Sequence, residues 1–316
     1  MSIPDNPIVL MFAVLLDLIL VVLALSYIFF LIIFYVPDRK ESPSGEIQLP
    51  PGKIYEKYWD DMRKWAVETR SLPFVEMSIT SFDGLKLYGK YYQCKPDAPI
   101  ELMFHGYRGS AERDLPGGVQ RCFQVGHNVL LVDQRCAGRS DGNVISFGIN
   151  EHRDCLMWID HMIAHFGDDV QIILTGISMG ASTVLMASGR TLPPNVIGVL
   201  ADCGFHSPKE IIISVAKSMH LPARGLYPLV KIGAKLFGRF DLEEYSPVEA
   251  MKTCKVPVIF FHGIADAYVP SYMSRINYEA CQTRKKLVLI PGAGHGLSYP
   301  VLPQEYLQEV SAFFDS

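Results

Sequence analysis

Gly176-Ile177-Ser178-Met179-Gly180 is the stretch around which the chain is organised. It follows the apolar run 170–174 and leads into small, helix-compatible residues, so a G-x-S-x-G pattern stands between a predicted strand and a predicted helix. In that context a sharp turn holds the serine hydroxyl clear of the sheet edge, and glycines flank it because a Cβ would collide with the turned backbone. The pattern predicts that Ser178 is a nucleophile. The alternative is an ordinary strand-to-helix turn with Ser178 near an N-cap.

Strands and helices alternate on both sides of this stretch. The predicted strands cover residues 75–80, 85–92, 100–104, 128–132, 170–174, 196–201, 256–261 and 287–290, and the main predicted helices cover 115–125, 150–166 and 305–314. Such alternation favours a mostly parallel sheet covered by helices on both faces, with the opening hairpin adding antiparallel strands at one edge. The alternation stops over about 205–247, where the apolar residues have helical spacing. We expect a helical cap there, whose apolar side chains either line an acyl-accepting pocket or only pack the cap onto the sheet.

A serine nucleophile needs a base, and the base needs an orienting carboxylate. In this kind of sheet the partners follow the serine in the order acid, then histidine. His295 lies in a glycine-rich loop after the last predicted strand, and Asp266 lies just past the strand before it. Both are at the carboxyl ends of strands, where open α/β sheets build their sites. Asp202 is the main alternative acid; Asp133 is a weaker one, expected to brace loops.

The negative charge that develops during acyl transfer needs two backbone N–H donors. Met179 follows the serine directly and supplies the first, at the N-terminus of the predicted helix. The loop after strand 100–104 reads His105-Gly106-Tyr107-Arg108-Gly109 and turns closely at a glycine. We therefore predict that Tyr107 supplies the second donor.

Residues 8–36 form an almost unbroken apolar run. As a helix it would be roughly 43 Å long, whereas the hydrocarbon core of a bilayer is about 30 Å thick. A cleaved signal peptide would need a basic start and a shorter apolar region, so an uncleaved transmembrane helix is the preferred interpretation and a buried core helix the alternative. Asp17 interrupts the apolar run, and we assign no function to it.

The residues that flank this run predict its orientation. Arg39 and Lys40 follow it directly, whereas the residues that precede it contain no lysine or arginine. The positive-inside rule then places the bulk of the chain in the cytoplasm. We expect a membrane anchor over 1–37, a linker with a short helix over 38–72, and a catalytic domain over 73–316.

Composition excludes several classes of protein. The net charge is −4 with both signs mixed, so no basic face indicates a nucleic-acid partner. The seven cysteines are scattered and include no C-x-x-C pair, which argues against zinc, redox and disulfide frameworks and fits a reducing cytoplasm. We expect neither a metal nor an organic cofactor, and the oligomeric state is left open.

With these segments in place, the chain resembles the α/β-hydrolase superfamily from about Pro73 to its end. The resemblance is carried by His-Gly-Tyr, Asp-Gln-Arg-x-x-Gly-x-Ser at 133–140, Gly-x-Ser-Met-Gly, Asp-x-x-Val-Pro and Gly-His. Within the superfamily it is similar to membrane-anchored serine hydrolases of Gram-positive bacteria, which are grouped with the serine aminopeptidase-like and prolyl-oligopeptidase-like branches. It departs from many relatives at Ile177, where they have histidine, and at Cys136-Ala137, where they have Gly-His.

The resemblance implies an α/β-hydrolase fold with a mostly parallel eight-stranded sheet. It also implies Ser178, Asp266 and His295 as the catalytic triad, with Tyr107 and Met179 as oxyanion donors. The expected activity is hydrolysis of a carboxylic ester through an acyl-enzyme, on a small-molecule acyl substrate. A peptidase of the same fold and a catalytically inactive binding protein are the alternatives.

Overall fold

The computed structural model describes residues 7–37 and 45–314. Arg39 and Lys40, on which the predicted orientation depends, lie outside the described residues, as does the first part of the predicted linker. The rest of that linker ends in one turn at Glu56–Tyr58 and a helix whose Trp65 packs against Tyr299, with 5.5 Å between the ring centroids.

An eight-stranded sheet forms the centre of the molecule, with strand order β1-β2-β4-β3-β5-β6-β7-β8. β1 and β2 pair antiparallel, as do β2 and β4, and the remaining neighbours pair parallel. The predicted mostly parallel sheet, with its antiparallel hairpin at one edge, is confirmed. The strands are β1 Val75–Thr80, β2 Lys86–Tyr92, β3 Ile100–Phe104, β4 Asn128–Val132, β5 Ile172–Ile177, β6 Val196–Asp202, β7 Val258–Gly263 and β8 Lys285–Ile290.

Helices cover both faces of this sheet. Because β3, β4 and β7 are buried along their whole length, their apolar runs need helices on either side. The helices are α1 Pro7–Ile33, α2 Trp59–Ser71, α3 Ala111–Asp114, α4 Pro116–Val125, α5 Glu151–Phe166, α6 Met179–Ser188, α7 Pro208–Ser218, α8 Ala223–Leu236, α9 Pro247–Thr253, α10 Tyr272–Ala280, α11 Ser298–Val301 and α12 Pro303–Phe314. The segment between β6 and β7 therefore folds as α7, α8 and α9.

A buried ion pair interrupts the apolar core around β3. Glu101, in β3, is fully buried and pairs with the guanidinium of Arg121, while Nδ1 of His127 lies 2.8 Å from its Oε1. The hydroxyl of Thr175 donates to its Oε2 at 2.7 Å. Burial alone would raise the pKa of Glu101, but the charge and hydrogen bonds of these partners hold the pKa well below its usual range. Glu101 is therefore a paired carboxylate that ties β3 to α4 and β5.

Among the described residues, α1 is the one helix long and apolar enough to cross a membrane by length and composition. Most of its apolar side chains are exposed, from Ile8 through Ile32. Its C-terminal end is different, because Ser26 and Phe30 are buried against α8. The ring of Tyr27 meets the edge of Phe237, with centroids 4.9 Å apart.

The chain that leaves α1 stays inside the folded domain. Phe34 is completely buried and packs edge-on against Phe147 and Phe240. The N–H of Val36 donates to Asn143 O at 2.8 Å, and the N–H of Ile145 donates to Phe34 O at 2.9 Å. The end of α1 is thus part of the domain's own core and backbone pairing.

The crossing of α1 and α8 depends on a glycine. A Cβ at Gly233 would overlap the carbonyl oxygen of Ser26, whereas a Cβ at Gly225 of the same helix would meet nothing within 4 Å. We predict that Gly233→Ala lowers the Tm of the detergent-solubilised protein by several degrees, a loss of about 1–3 kcal/mol from overpacking. Gly225→Ala is the matched control and should leave the Tm unchanged or raise it slightly, since alanine favours helices. Equal shifts in the two variants would contradict the close crossing.

Candidate active site

Ser178 sits at the junction of β5 and α6 in a strained conformation, with φ 57° and ψ −120°. The residues two positions before and after it must be glycines. A Cβ at Gly176 would overlap the carbonyl of Gly180, and a Cβ at Gly180 would overlap the carbonyl of Phe104. The N–H of Ser178 donates to Asp202 O at 2.8 Å. A non-glycine residue in this region persists only where its surroundings hold it, and such strain clusters at functional sites.

The structure brings Ser178, His295 and Asp266 together in one hydrogen-bonded row. Nε2 of His295 lies 2.8 Å from Oγ of Ser178, and Nδ1 of the same ring lies 2.7 Å from Oδ2 of Asp266. The three residues come from the loops that follow β5, β8 and β7, which end at the same edge of the sheet. The arrangement can move a proton from a hydroxyl to an imidazole whose far nitrogen faces a carboxylate.

Asp266 is held as an anion. Burial alone would raise its pKa, but hydrogen bonds from His262 and His295, the charge of His295 and the backbone N–H of Val269 together lower the pKa to about 2. The N–H groups of Tyr268 and Val269 both donate to Oδ1 at 2.9 Å, which leaves Oδ2 to face the two imidazoles. A carboxylate that stays ionised can orient and stabilise an imidazolium.

His262, near the end of β7, contacts both the loop that follows this strand and Asp266. Its Nε2 lies 2.7 Å from Val269 O and 3.3 Å from Oδ2 of Asp266, and its Nδ1 lies 2.6 Å from Oγ of Ser274. Because a carbonyl oxygen can only accept, Nε2 of His262 carries the proton. His262 therefore helps to hold Asp266 in place.

Asp202, the alternative acid, is engaged elsewhere. It accepts a hydrogen bond from Oγ of Ser298 at 2.7 Å, and its burial raises its pKa. The hydrogen bonds of His295 go to Asp266 and Ser178. The geometry therefore favours Asp266 as the partner of the imidazole. Asp133 braces a loop as expected, accepting from the N–H of Ala111 at 3.0 Å.

The two predicted oxyanion donors lie beside Ser178. Met179 is the first residue of α6, where helix N–H groups have no partner within the helix. A Cβ built on Gly106 would be 3.8 Å from Oγ of Ser178, so the Tyr107 loop approaches the serine closely. Both Tyr107 and Met179 line the same cavity as Ser178 and His295.

Sequence reasoning missed two residues of this site. Asp114 accepts from the N–H of Gly106 at 3.2 Å and pairs with Arg113, so it holds the loop that carries Tyr107. Tyr55 lines the cavity, and burial with nearby acidic groups raises its pKa. An acidic residue soon after a glycine-rich loop was a usable signal for Asp114; Tyr55 gives no comparable signal.

The cavity that contains Ser178 has a volume of about 810 Å³. Apolar side chains of α7 and α8 form much of its wall, including Ile211, Ile212 and Val230. Cys203, Asp266 and His295 place possible metal-binding atoms within 4.8 Å of one another, but burial raises the pKa of the Cys203 thiol and disfavours the thiolate that a metal needs. The arrangement of Ser178, His295 and Asp266 therefore fits proton transfer better than metal binding.

Comparison with known proteins identifies the family and supports the fold. A model of the alpha/beta hydrolase family matches residues 102–310. The protein YqkD of Bacillus subtilis, described as uncharacterized, is 27% identical over 77% of this chain and 81% of its own. The fold resembles the esterase Pf2001 of Pyrococcus furiosus, at a TM-score of 0.63 and 21% identity over 78% of this chain and 94% of that one. It also resembles an acylaminoacyl peptidase of Pyrococcus horikoshii, at a TM-score of 0.55 and 17% identity over 79% of this chain and 42% of that one.

The low pKa of Asp266 predicts how stability depends on pH. Because the folded pKa of about 2 lies below the ordinary value of 3.8, the stabilisation is fully present above about pH 4 and is lost as pH falls through 2. It amounts to about 2 kcal/mol. We expect the unfolding free-energy difference between wild type and Asp266→Asn, measured in urea, to shrink by about that amount from pH 5 to 2. With the solvent-exposed Asp169→Asn the difference should stay flat; a flat difference for Asp266→Asn as well would contradict the assignment.

Proposed function

The chain belongs to the alpha/beta hydrolase family, and from that premise we propose that it is a membrane-anchored serine hydrolase that cleaves a carboxylic ester. The observation that carries the proposal is the row Ser178–His295–Asp266, which opens into a large and mainly apolar cavity. The Gram-positive membrane-anchored branch is the group we favour within the family.

In the proposed mechanism His295 takes the proton of the Ser178 hydroxyl as its oxygen attacks the ester carbonyl carbon. Asp266 holds the imidazole in place and stabilises its charged form. The N–H groups of Tyr107 and Met179 stabilise the oxyanion, each worth about 3–4 kcal/mol in comparable sites. His295 then gives the proton to the departing alcohol, which leaves an acyl-enzyme. A water molecule attacks the acyl carbon as His295 takes its proton, and His295 returns the proton to Oγ of Ser178 as the acid leaves. The mechanism uses no metal and no organic cofactor.

A serine peptidase of the same fold is the second candidate, and the likeness to an acylaminoacyl peptidase supports keeping it. A peptidase that recognises a free amine needs an unpaired carboxylate near the serine. Glu243 and Glu244 are the adjacent carboxylates that follow α8, and Glu243 is paired with Lys209 and Lys231. This pairing and the apolar cavity wall favour an ester. A catalytically inactive binding protein is disfavoured because each member of the row is present and within hydrogen-bond distance.

We propose that α1 is retained as a membrane anchor. Removing it as a signal peptide would take Phe30 out of the domain's core and would leave the buried Phe34 and the paired Val36 at the new end of the chain. The exposed apolar side chains of its first turns then face lipid. The basic residues after α1 favour a catalytic domain in the cytoplasm.

Labelling by a fluorophosphonate probe tests the nucleophile. We expect stoichiometric labelling of the folded wild type and none of Ser178→Ala, because the probe reacts with an activated serine. Asp266→Asn should lower kcat/KM by about 10³-fold or more, since the imidazole loses its orienting anion. Asp202→Asn is the matched control and should cost far less. No labelling of folded wild type would contradict the hydrolase, and loss of activity in Asp202→Asn alone would reverse the choice of acid.

A panel of chromogenic substrates tests the preference for esters. We expect p-nitrophenyl esters to be cleaved with a kcat/KM at least tenfold above that of aminoacyl p-nitroanilides. The cavity wall is mainly apolar, and its carboxylates among the described residues, Asp114 and Asp202, are already engaged by Arg113 and Ser298. Each rate should fall to background in Ser178→Ala, which serves as the blank. Faster cleavage of the anilides would establish the peptidase instead.

A further inference from the structure

The last turns of α1 form part of the wall of the active-site cavity. Phe29, Ile32 and Ile33 all line it together with Ser178. Their spacing of three and four residues puts them on one face of the helix. The neighbouring face carries Ser26 and Phe30, which pack against α8. The apolar helix therefore presents one face to the cap and another to the space in front of the serine.

Three of the cavity's apolar wall residues are also strongly exposed. Ile32 is 60% exposed, Met219 64% and Leu221 42%, although each lines the cavity. The cavity therefore reaches the molecular surface at a rim made by α1 and by the connection between α7 and α8. Exposed large apolar residues grouped around an opening mark a surface that contacts an apolar partner.

The exposed cations near this rim match a membrane surface. Lys217 and Arg224 flank the apolar pair Met219 and Leu221, and both are exposed. Basic side chains beside inserted apolar ones are the pattern of segments that lie in a lipid interface, where anionic headgroups attract them. Because α1 enters the domain at the same rim, its lipid-exposed turns and the cavity opening lie side by side.

The end of α1 is also bonded to the loop that carries the proposed oxyanion donor. The Tyr107 hydroxyl donates to Ile33 O at 2.7 Å, and the Arg108 guanidinium donates to Ile32 O at 2.8 Å and to Tyr35 O at 3.0 Å. A cation at the carboxyl end of a helix is favourable for the helix dipole. These bonds hold α1 at a fixed distance from Ser178, so its side chains can act as a wall.

We propose that the substrate is a long-chain acyl ester resident in the bilayer, and that its chain slides from the lipid past Ile32 into the cavity, with α1 as one wall. This inference rests on the proposed function, because it assumes that Ser178 attacks an ester. The carbonyl carbon gains the bond to Oγ and loses the bond to the alcohol oxygen, which takes its proton from His295. Water then releases the fatty acid and restores the serine. A volume of about 810 Å³ lies within the range of ligand pockets, about 300–1,000 Å³.

Substitution on the cavity face of α1 tests the wall. Ile33→Trp should fill the space for the chain while leaving the backbone bond from Tyr107 possible. We expect the ratio of its kcat/KM for p-nitrophenyl laurate to its kcat/KM for p-nitrophenyl acetate to fall at least tenfold relative to the wild-type ratio. Leu31→Trp is the matched control. Leu31 lies on the same turn but is not among the residues that line the cavity, and the helical repeat places it opposite Phe29, Ile32 and Ile33. It should leave the ratio of laurate to acetate unchanged.

The acetate assay separates this inference from the proposed function. If wild type neither cleaves acetate nor reacts with a fluorophosphonate, the hydrolase assignment itself fails. If acetate cleavage is intact but Ile33→Trp and Leu31→Trp give the same chain-length ratio as wild type, only the wall formed by α1 is overturned.

Entry from the bilayer has its own measurement. The full-length protein is reconstituted in phosphatidylcholine vesicles, and methylumbelliferyl palmitate is placed either in the same vesicles or in separate, protein-free ones. We expect initial hydrolysis at least tenfold faster when enzyme and ester share a membrane. Equal initial rates would show that the ester arrives through water and would overturn the entry route.

Discussion

The close approach of the backbone at Gly180 to the carbonyl of Phe104 is the constraint on which the site depends. It sets the distance between the start of α6 and the end of β3. Ser178 leaves β5 at a positive φ because α6 must begin there, and the loop with Tyr107 starts where β3 ends. One short distance therefore positions the serine and both N–H groups that we assign to the oxyanion. Any side chain at 180 would move all three together.

The cap and the apolar helix form a second layer that depends on the first. α7 and α8 lie over the carboxyl ends of the strands, and α1 packs on α8 through Phe30 and the Ser26–Gly233 crossing. Because the loop after β3 also bonds to the last carbonyls of α1, the helix contacts both the cap and the site. A helix that by composition alone suggests a passive anchor is, in its last turns, a structural part of the domain.

Much of this architecture could be predicted from local patterns in the sequence. Alternating strands and helices predicted the sheet. Ser178, Asp266 and His295 each follow a strand in the order that the fold prescribes, so local patterns were enough to predict that these three residues lie together. Contacts between side chains that are far apart in the sequence leave no such local pattern. Glu101 sits in an apolar strand, and its partners Arg121 and Thr175 lie on other elements. The docking of α1 was missed for the same reason, although Gly233, a glycine among the buried residues of the amphipathic helix α8, was a local sign of a close crossing.

The distance along the chain between Ser26 and Gly233 has a consequence for how the molecule is made. During synthesis α1 emerges first, and its partner helix follows only about 200 residues later, so the contact between them is among the slowest to close. Domains generally fold as units, so α1 waits for the rest of the domain before its end is buried. In the interval only strands β1 to β6 of the sheet are synthesised, and Phe30 still lacks the helix α8 that will bury it. If α1 is already inserted in lipid by then, the contact between α1 and α8 forms at the membrane. Folding of the domain is therefore completed there, beside the helix that forms part of its core.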